Sequence, residues 1–152
     1  MNNMPTYDPA LSLKLDDQLC FALYSATNAL KKMYRPMLER LGLTYPQYLV
    51  MMVLWERDGQ TVSEIGDKLF LDSATLTPLL KRLENHSILE RRRAAEDERI
   101  VRVSLTAKGN SLKEMAATVP GEAVGATGCT PDELTTLRDA LVQLRTDLMA
   151  NG

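Results

Sequence analysis

The sequence predicts a mainly α-helical fold that carries one small β-hairpin. Three observations predict it. Apolar residues recur at three-and-four spacing through most of the chain. Capping signals divide those stretches into helices. The helical period gives way once, between Ile88 and Leu105, to two β-branched, arginine-rich runs separated by a charged turn. A chain of 152 residues accommodates one domain, 1–152, with a substantial core.

The first helical pattern spans about 16–41, with Leu19, Leu23, Ala26, Leu30, Met33, Met37 and Leu41 on one face. Pro36 removes a backbone donor inside it, so a kink or break is expected near Tyr34 or Arg35, and Gly42 ends it. Thr44 is the next N-cap, with Pro46 in the first turn, and Tyr45 to Arg57 is apolar enough all round to be a central core helix. Asp58 and Gly59 make a turn. Thr61 and Glu64 form a capping-box pattern that opens a short helix from Val62 to about Phe70. Asp72 or Ser73 caps the following helix, whose buried stripe is Leu76, Leu79, Leu80 and Leu83, with Pro78 placed in about its first turn.

Residues 88–93 and 100–105 then alternate as strands around the turn 94–99. Thr106 caps a helix to about Val119 or Val124, and the stretch Gly121 to Gly128 interrupts it. Thr130 with Glu133 opens a last helix to about Met149. The terminal segments 16–41 and 106–150 are read as dimerisation helices around a central lobe, 45–105.

Composition narrows the classes. Apolar residues make up 45% and charged residues 25%, and no run reaches the length of a membrane span, so no membrane partner is expected. The start of the chain has neither a basic stretch nor a continuous apolar one, which points to the cytoplasm. Two cysteines far apart and a single histidine, His86, fit neither a disulfide framework nor a zinc site, and no metal or cofactor is expected. The net charge of −2 excludes a uniformly basic nucleic-acid binder, yet Lys81, Arg82, Arg91, Arg92, Arg93, Arg99 and Arg102 concentrate cations in one segment.

Helix, tight turn, helix and basic hairpin, in that order, is the layout of a winged helix-turn-helix, whose second helix enters the major groove while the hairpin flanks it. On that reading the DNA-facing residues are Ser73, Thr75, Thr77, Lys81 and Arg82 on the helix, and Arg91, Asp97 and Arg99 on the hairpin, with Asp97 holding Arg99 for a narrow minor groove. The acidic tip, Glu96 to Glu98, slightly favours the lesser alternative of a solvated charged hairpin on a helical protein.

Cys20 lies on the first helix. At roughly 100° per residue, Tyr24 and Tyr34 both fall within about 40° of it, but Tyr34 is about 21 Å away along the axis. Two copies of the helix crossing antiparallel would bring Cys20 of one to the Tyr34 region of the other. Phenolic donors there stabilise a thiolate, and the thiolate attacks a peroxide O–O bond to give a sulfenic acid. Phe21, Met33 and Met37 would suit an alkyl peroxide. A lone cysteine on an apolar helix is otherwise a small buried hydrophobe.

The segments LDDQLCFALYSA, YRPMLERLGLTYPQYLVMMVLWE, LFLDSATLTPLLKRLE and AAEDERIVRVSLTAKG resemble the organic hydroperoxide resistance regulators of the MarR family, from about Leu15 to Val119. The resemblance implies a homodimeric repressor that binds operator double-stranded DNA when reduced and is released by organic hydroperoxides. It implies that Cys20 is the peroxide-reactive residue, that Tyr34 and Tyr45 reach it from the partner subunit, and that Cys129 lies near where some members carry a resolving cysteine. Two rivals stay open: a regulator responding to a small aromatic ligand, with Cys20 as packing, and a thiol peroxidase. The sequence holds no CxxC, paired catalytic carboxylates or phosphate-binding glycine loop, which counts against an enzyme.

Overall fold

A computed structural model describes residues 12–152. The reading of residues 1–11 as lacking an export signal lies outside the described residues. After a short 3-10 turn at Leu15–Asp17 come α1 (Leu19–Glu39), α2 (Tyr45–Glu56), β1 (Gln60–Thr61), α3 (Val62–Leu69), α4 (Ser73–Asn85), β2 (Leu89–Arg93), β3 (Val101–Leu105), α5 (Ala107–Ala116), α6 (Val119–Thr127) and α7 (Pro131–Asn151). None of the described helices is long and apolar enough to cross a membrane.

The expected break at Pro36 does not occur: α1 runs unbroken through it. The ring lies within a turn of the helix end, and the missing donor costs α1 only the bond to the Lys32 carbonyl. The chain then reverses where Leu43 N–H bonds the Leu38 carbonyl and Gly42 takes a φ of 69°. Thr44 caps α2 with the full reciprocal box, its side chain accepting from the Gln47 amide and Gln47 accepting from the Thr44 amide. Val50, Met51 and Leu54 of α2 are buried at the centre of the core, as the all-round apolar pattern predicts.

Around α2 pack Leu38, Ile65, Leu76, Leu80, Leu83, Leu89 and Val103. Thr61 caps α3 by accepting from the Glu64 amide, and the Glu64 carboxylate pairs with Arg57. Asp72 caps α4 through the Thr75 amide. Pro78 lies in the second turn of α4, later than expected, and is exposed there.

Two corrections concern the sheet and the C-terminal region. The hairpin β2–β3 forms in the expected place, yet the sheet has a third strand. β1 pairs antiparallel with β3 through Gln60–Val103 and Thr61–Arg102, giving the order β1-β3-β2. The glycine-rich stretch does not interrupt a helix; it is one. Val119 and Ala123 anchor α6 inward, while a Cβ at Gly121 or Gly125 would meet nothing within 4 Å. The actual breaks fall between α5 and α6 and at Gly128, where φ is 70°.

Gly109, in the first turn of α5, lies against the chain leaving α4: a Cβ there would sit 2.2 Å from the Ile88 carbonyl oxygen. Trp55 Nε1 donates to the Gly109 carbonyl at 3.0 Å, fixing α5 onto α2. Gly109→Ala is therefore expected to lower unfolding stability by about 1–3 kcal/mol. Gly121→Ala, on an open helical surface, is expected to raise it by about 0.5–1 kcal/mol. Urea unfolding of the two variants checks the opposite signs.

Candidate nucleic-acid interface and thiol site

The helix-turn-helix is built by α3, the tight turn at Phe70–Asp72, and α4. A Cβ on Gly66 would lie 2.8 Å from the Leu71 carbonyl oxygen, so the turn is closed against α3 at a distance only glycine permits. Phe70 ends α3 in the left-handed region, with φ 57°. Leu76, Leu80 and Leu83 point into the core, which leaves Ser73, Thr75, Thr77, Lys81 and Arg82 exposed together, as the sequence predicts.

In the wing, Asp97 accepts from the Arg99 backbone amide at 3.0 Å and from its Nε and Nη2 at 3.1 and 3.0 Å. The bidentate pair holds the Asp97 carboxyl below its ordinary pKa, and it leaves the Arg99 side chain 91% exposed. Arg93 bonds the Glu98 carbonyl, and Arg102 ties Glu96 to the Gly59 carbonyl, so the tip is braced from both strands.

Arg91 is placed differently from the sequence expectation of a DNA-facing side chain. It is turned inward to Glu84 of α4, with its side chain 25% exposed. Sequence pattern alone gave no sign of this, because the partner lies on a different element.

Cys20 is in the first turn of α1, and it and Tyr24 are exposed in the single chain. An open groove of about 660 Å³ runs beside Cys20, walled by Leu19, Leu23, and Leu144 and Leu148 of α7. Tyr34, toward the other end of α1, packs on Tyr45 and Tyr48 of α2 with ring centroids 5.2 and 6.1 Å apart. The structure thus brings Tyr34 and Tyr45 together, beside the end of α1 that is far from Cys20 of the same chain. Tyr48, which the sequence reading did not single out, completes the cluster and continues it to Trp55 at 6.3 Å. Cys129 is exposed in the turn after α6, its amide bonded to Thr127 Oγ1.

A family model described as transcriptional regulator SarA/Rot matches residues 32–115. The organic hydroperoxide resistance transcriptional regulator of Bacillus subtilis (strain 168) is 46% identical over 132 residues, 87% of this chain and 90% of that protein. The chain belongs to the MarR-type transcriptional regulators, in their organic hydroperoxide resistance branch. A second relative of this regulator, the HTH-type transcriptional regulator TtmR of Methylorubrum extorquens (strain PA1), is 52% identical over 138 residues, 91% of this chain and 71% of that one. Among solved structures, reduced AbfR bound to DNA, from Staphylococcus epidermidis, matches with a TM-score of 0.73 at 36% identity, over 89% of this chain and 94% of that chain.

Burial raises the pKa of Tyr34 above the ordinary 10.0; burial and then the neighbouring Tyr34 raise that of Tyr45. Tyr48 is raised by burial, then by Tyr34 and Tyr45. The phenols therefore remain proton donors throughout the neutral range. A folded-state pKa above the unfolded one means that stability is intact below pH 10.0 and falls as pH rises through the shifted values. Phenolate absorbance is expected to show tyrosines titrating above 10.0, and Tyr34→Phe to move Tyr45 and Tyr48 back toward it.

Proposed function

We propose that this regulator is a homodimeric repressor that binds operator DNA when reduced and releases it when an organic hydroperoxide oxidises Cys20. The observation that supports this most is the arrangement of α1. An exposed thiol stands near one end and a tyrosine cluster toward the other, on a helix whose apolar stripe is largely uncovered in the single chain. An antiparallel second copy covers that stripe and brings each Cys20 to the partner's Tyr34 and Tyr45, with Tyr24 one turn from the sulfur. α7, which buries no residue in the single chain and exposes Leu137, Leu141 and Leu148, supplies further surface for the same pairing.

The chemistry follows from that contact. Phenolic O–H groups donate to the sulfur and favour the thiolate. The thiolate attacks one peroxide oxygen; the O–O bond breaks, the alcohol leaves with a proton, and Cys20 becomes a sulfenic acid. Cys129, exposed in its turn, is a candidate to condense with that sulfenic acid as an intersubunit disulfide. The DNA-facing set is Ser73, Thr75, Thr77, Lys81 and Arg82 in the major groove and Arg99, held by Asp97, in the minor groove. The organic hydroperoxide resistance relative and the DNA-bound AbfR structure support the pairing of a peroxide stimulus with a DNA readout. The protein acts as a stoichiometric sensor and not as an enzyme.

Fluorescence anisotropy on the protein's own upstream DNA tests this. Reduced wild type and Cys20→Ser are expected to bind alike, and cumene hydroperoxide to release wild type alone. Equal release or equal retention removes Cys20 as the sensor. Arg99→Ala is expected to weaken binding and to reduce the salt slope by about 0.9 for each phosphate that Arg99 neutralises. A salt titration that leaves affinity and slope unchanged removes the wing from the interface.

A further inference from the structure

We infer that Arg91 and Glu84 form a bracket that sets the angle between the recognition helix α4 and the wing, so that both are positioning residues and Arg91 is not a phosphate contact. The inference rests on the DNA-binding reading above and changes the role of one residue within it.

The bracket is a two-point contact. Glu84 Oε2 accepts from the Arg91 backbone amide at 3.0 Å, while its Oε1 accepts from Arg91 Nη2 at 3.1 Å. One carboxylate therefore grips both the main chain and the side chain of the strand. Two bonds to separate atoms restrain rotation as well as distance, which a single ion pair does not do.

Its place in the fold gives it leverage. β2 is an edge strand of the sheet, and its outward amides have no strand to pair with. The Arg91 amide finds its partner on α4 instead, one residue before the helix ends at Asn85. The bracket thus lies where the recognition helix meets the base of the wing. Any tilt of one against the other must break it.

Burial leaves the same guanidinium little room for a second role. The Arg91 side chain is 25% exposed, against 91% for Arg99 and 80% for Arg92 on the same wing. Its Nε is enclosed without a hydrogen-bond partner among the described residues, and its Nη2 is engaged by Glu84, so the Nε–Nη2 edge of the fork is closed to a bidentate phosphate contact. An enclosed, unmatched donor costs stability, so the pair is poorly explained as a stabiliser alone. A carboxylate facing DNA would repel it; paired with Arg91, Glu84 is neutralised.

The two roles give opposite signs in one experiment. Operator binding by the reduced full-length protein is measured over a salt series for wild type, Glu84→Gln, Arg91→Lys and Arg91→Gln, with thermal unfolding as the check on folding. If Arg91 positions, Glu84→Gln weakens binding although it removes a negative charge. Arg91→Lys weakens it although it keeps the positive one, each by about tenfold, the size of one charge-assisted hydrogen bond. Arg91→Gln then leaves the salt slope at the wild-type value. If Arg91 contacts phosphate, Glu84→Gln binds as tightly or more tightly, Arg91→Lys is nearly neutral, and Arg91→Gln lowers the slope by about 0.9 per protomer. That pattern overturns the inference while leaving the DNA reading standing. Failure of wild type itself to bind takes down both.

Discussion

The proposed sensor depends on a helix that does not bend back. Cys20 and Tyr34 are on one continuous α1, fourteen residues apart, so a rise of 1.5 Å per residue separates them by about 21 Å. Pro36 lies beyond both residues, within a turn of the end, and the helix carries through it. A thiol and phenols held at that separation cannot hydrogen-bond within one chain. On the proposed reading the site is therefore shared between two chains, and the apolar stripes left open on α1 and α7 are the surfaces that join them.

The same constraint shapes how a signal travels. The lobe formed by α2, α3, α4 and the sheet is tightly packed, with Val50, Met51, Ile65, Leu76, Leu80, Leu83 and Val103 fully enclosed. Asp58, which accepts from the Leu105 amide, and Arg102, which reaches the Gly59 carbonyl, lash the wing to the turn before β1. A lobe held this way responds to a change at the helical interface by moving as a body, because packed cores are bistable and not continuously deformable. Moving a two-state equilibrium from 99:1 to 1:99 takes only about 5.5 kcal/mol, within reach of one covalent change in a packed interface.

Much of this was legible because it is written in local patterns. Thr44, Thr61, Asp72, Thr106 and Thr130 each announce a helix start, and each accepts the expected amide. The leucine stripe of α4 separates inward from outward residues, and Asp97 two residues before Arg99 is close enough to hold it. What failed depended on contacts distant in sequence. β1 is two residues long, too short to show a period, and exists because the Asp58–Gly59 turn delivers it to β3. Gly121 and Gly125 look like breakers, but Val119 and Ala123 hold their helix to the core. Arg91 looks like every other arginine in its run, and only the position of Glu84 turns it inward.

The central claim is that each thiol is served by the other subunit's tyrosine. A mixed dimer tests it directly, with one chain carrying Tyr34→Phe and the other Cys20→Ser. The single remaining thiol then has phenylalanine in its own chain and tyrosine in its partner. The rate of its sulfenic acid formation with cumene hydroperoxide is compared with the wild-type and Tyr34→Phe homodimers. The account predicts the wild-type rate per thiol; a rate equal to that of the Tyr34→Phe homodimer would contradict it.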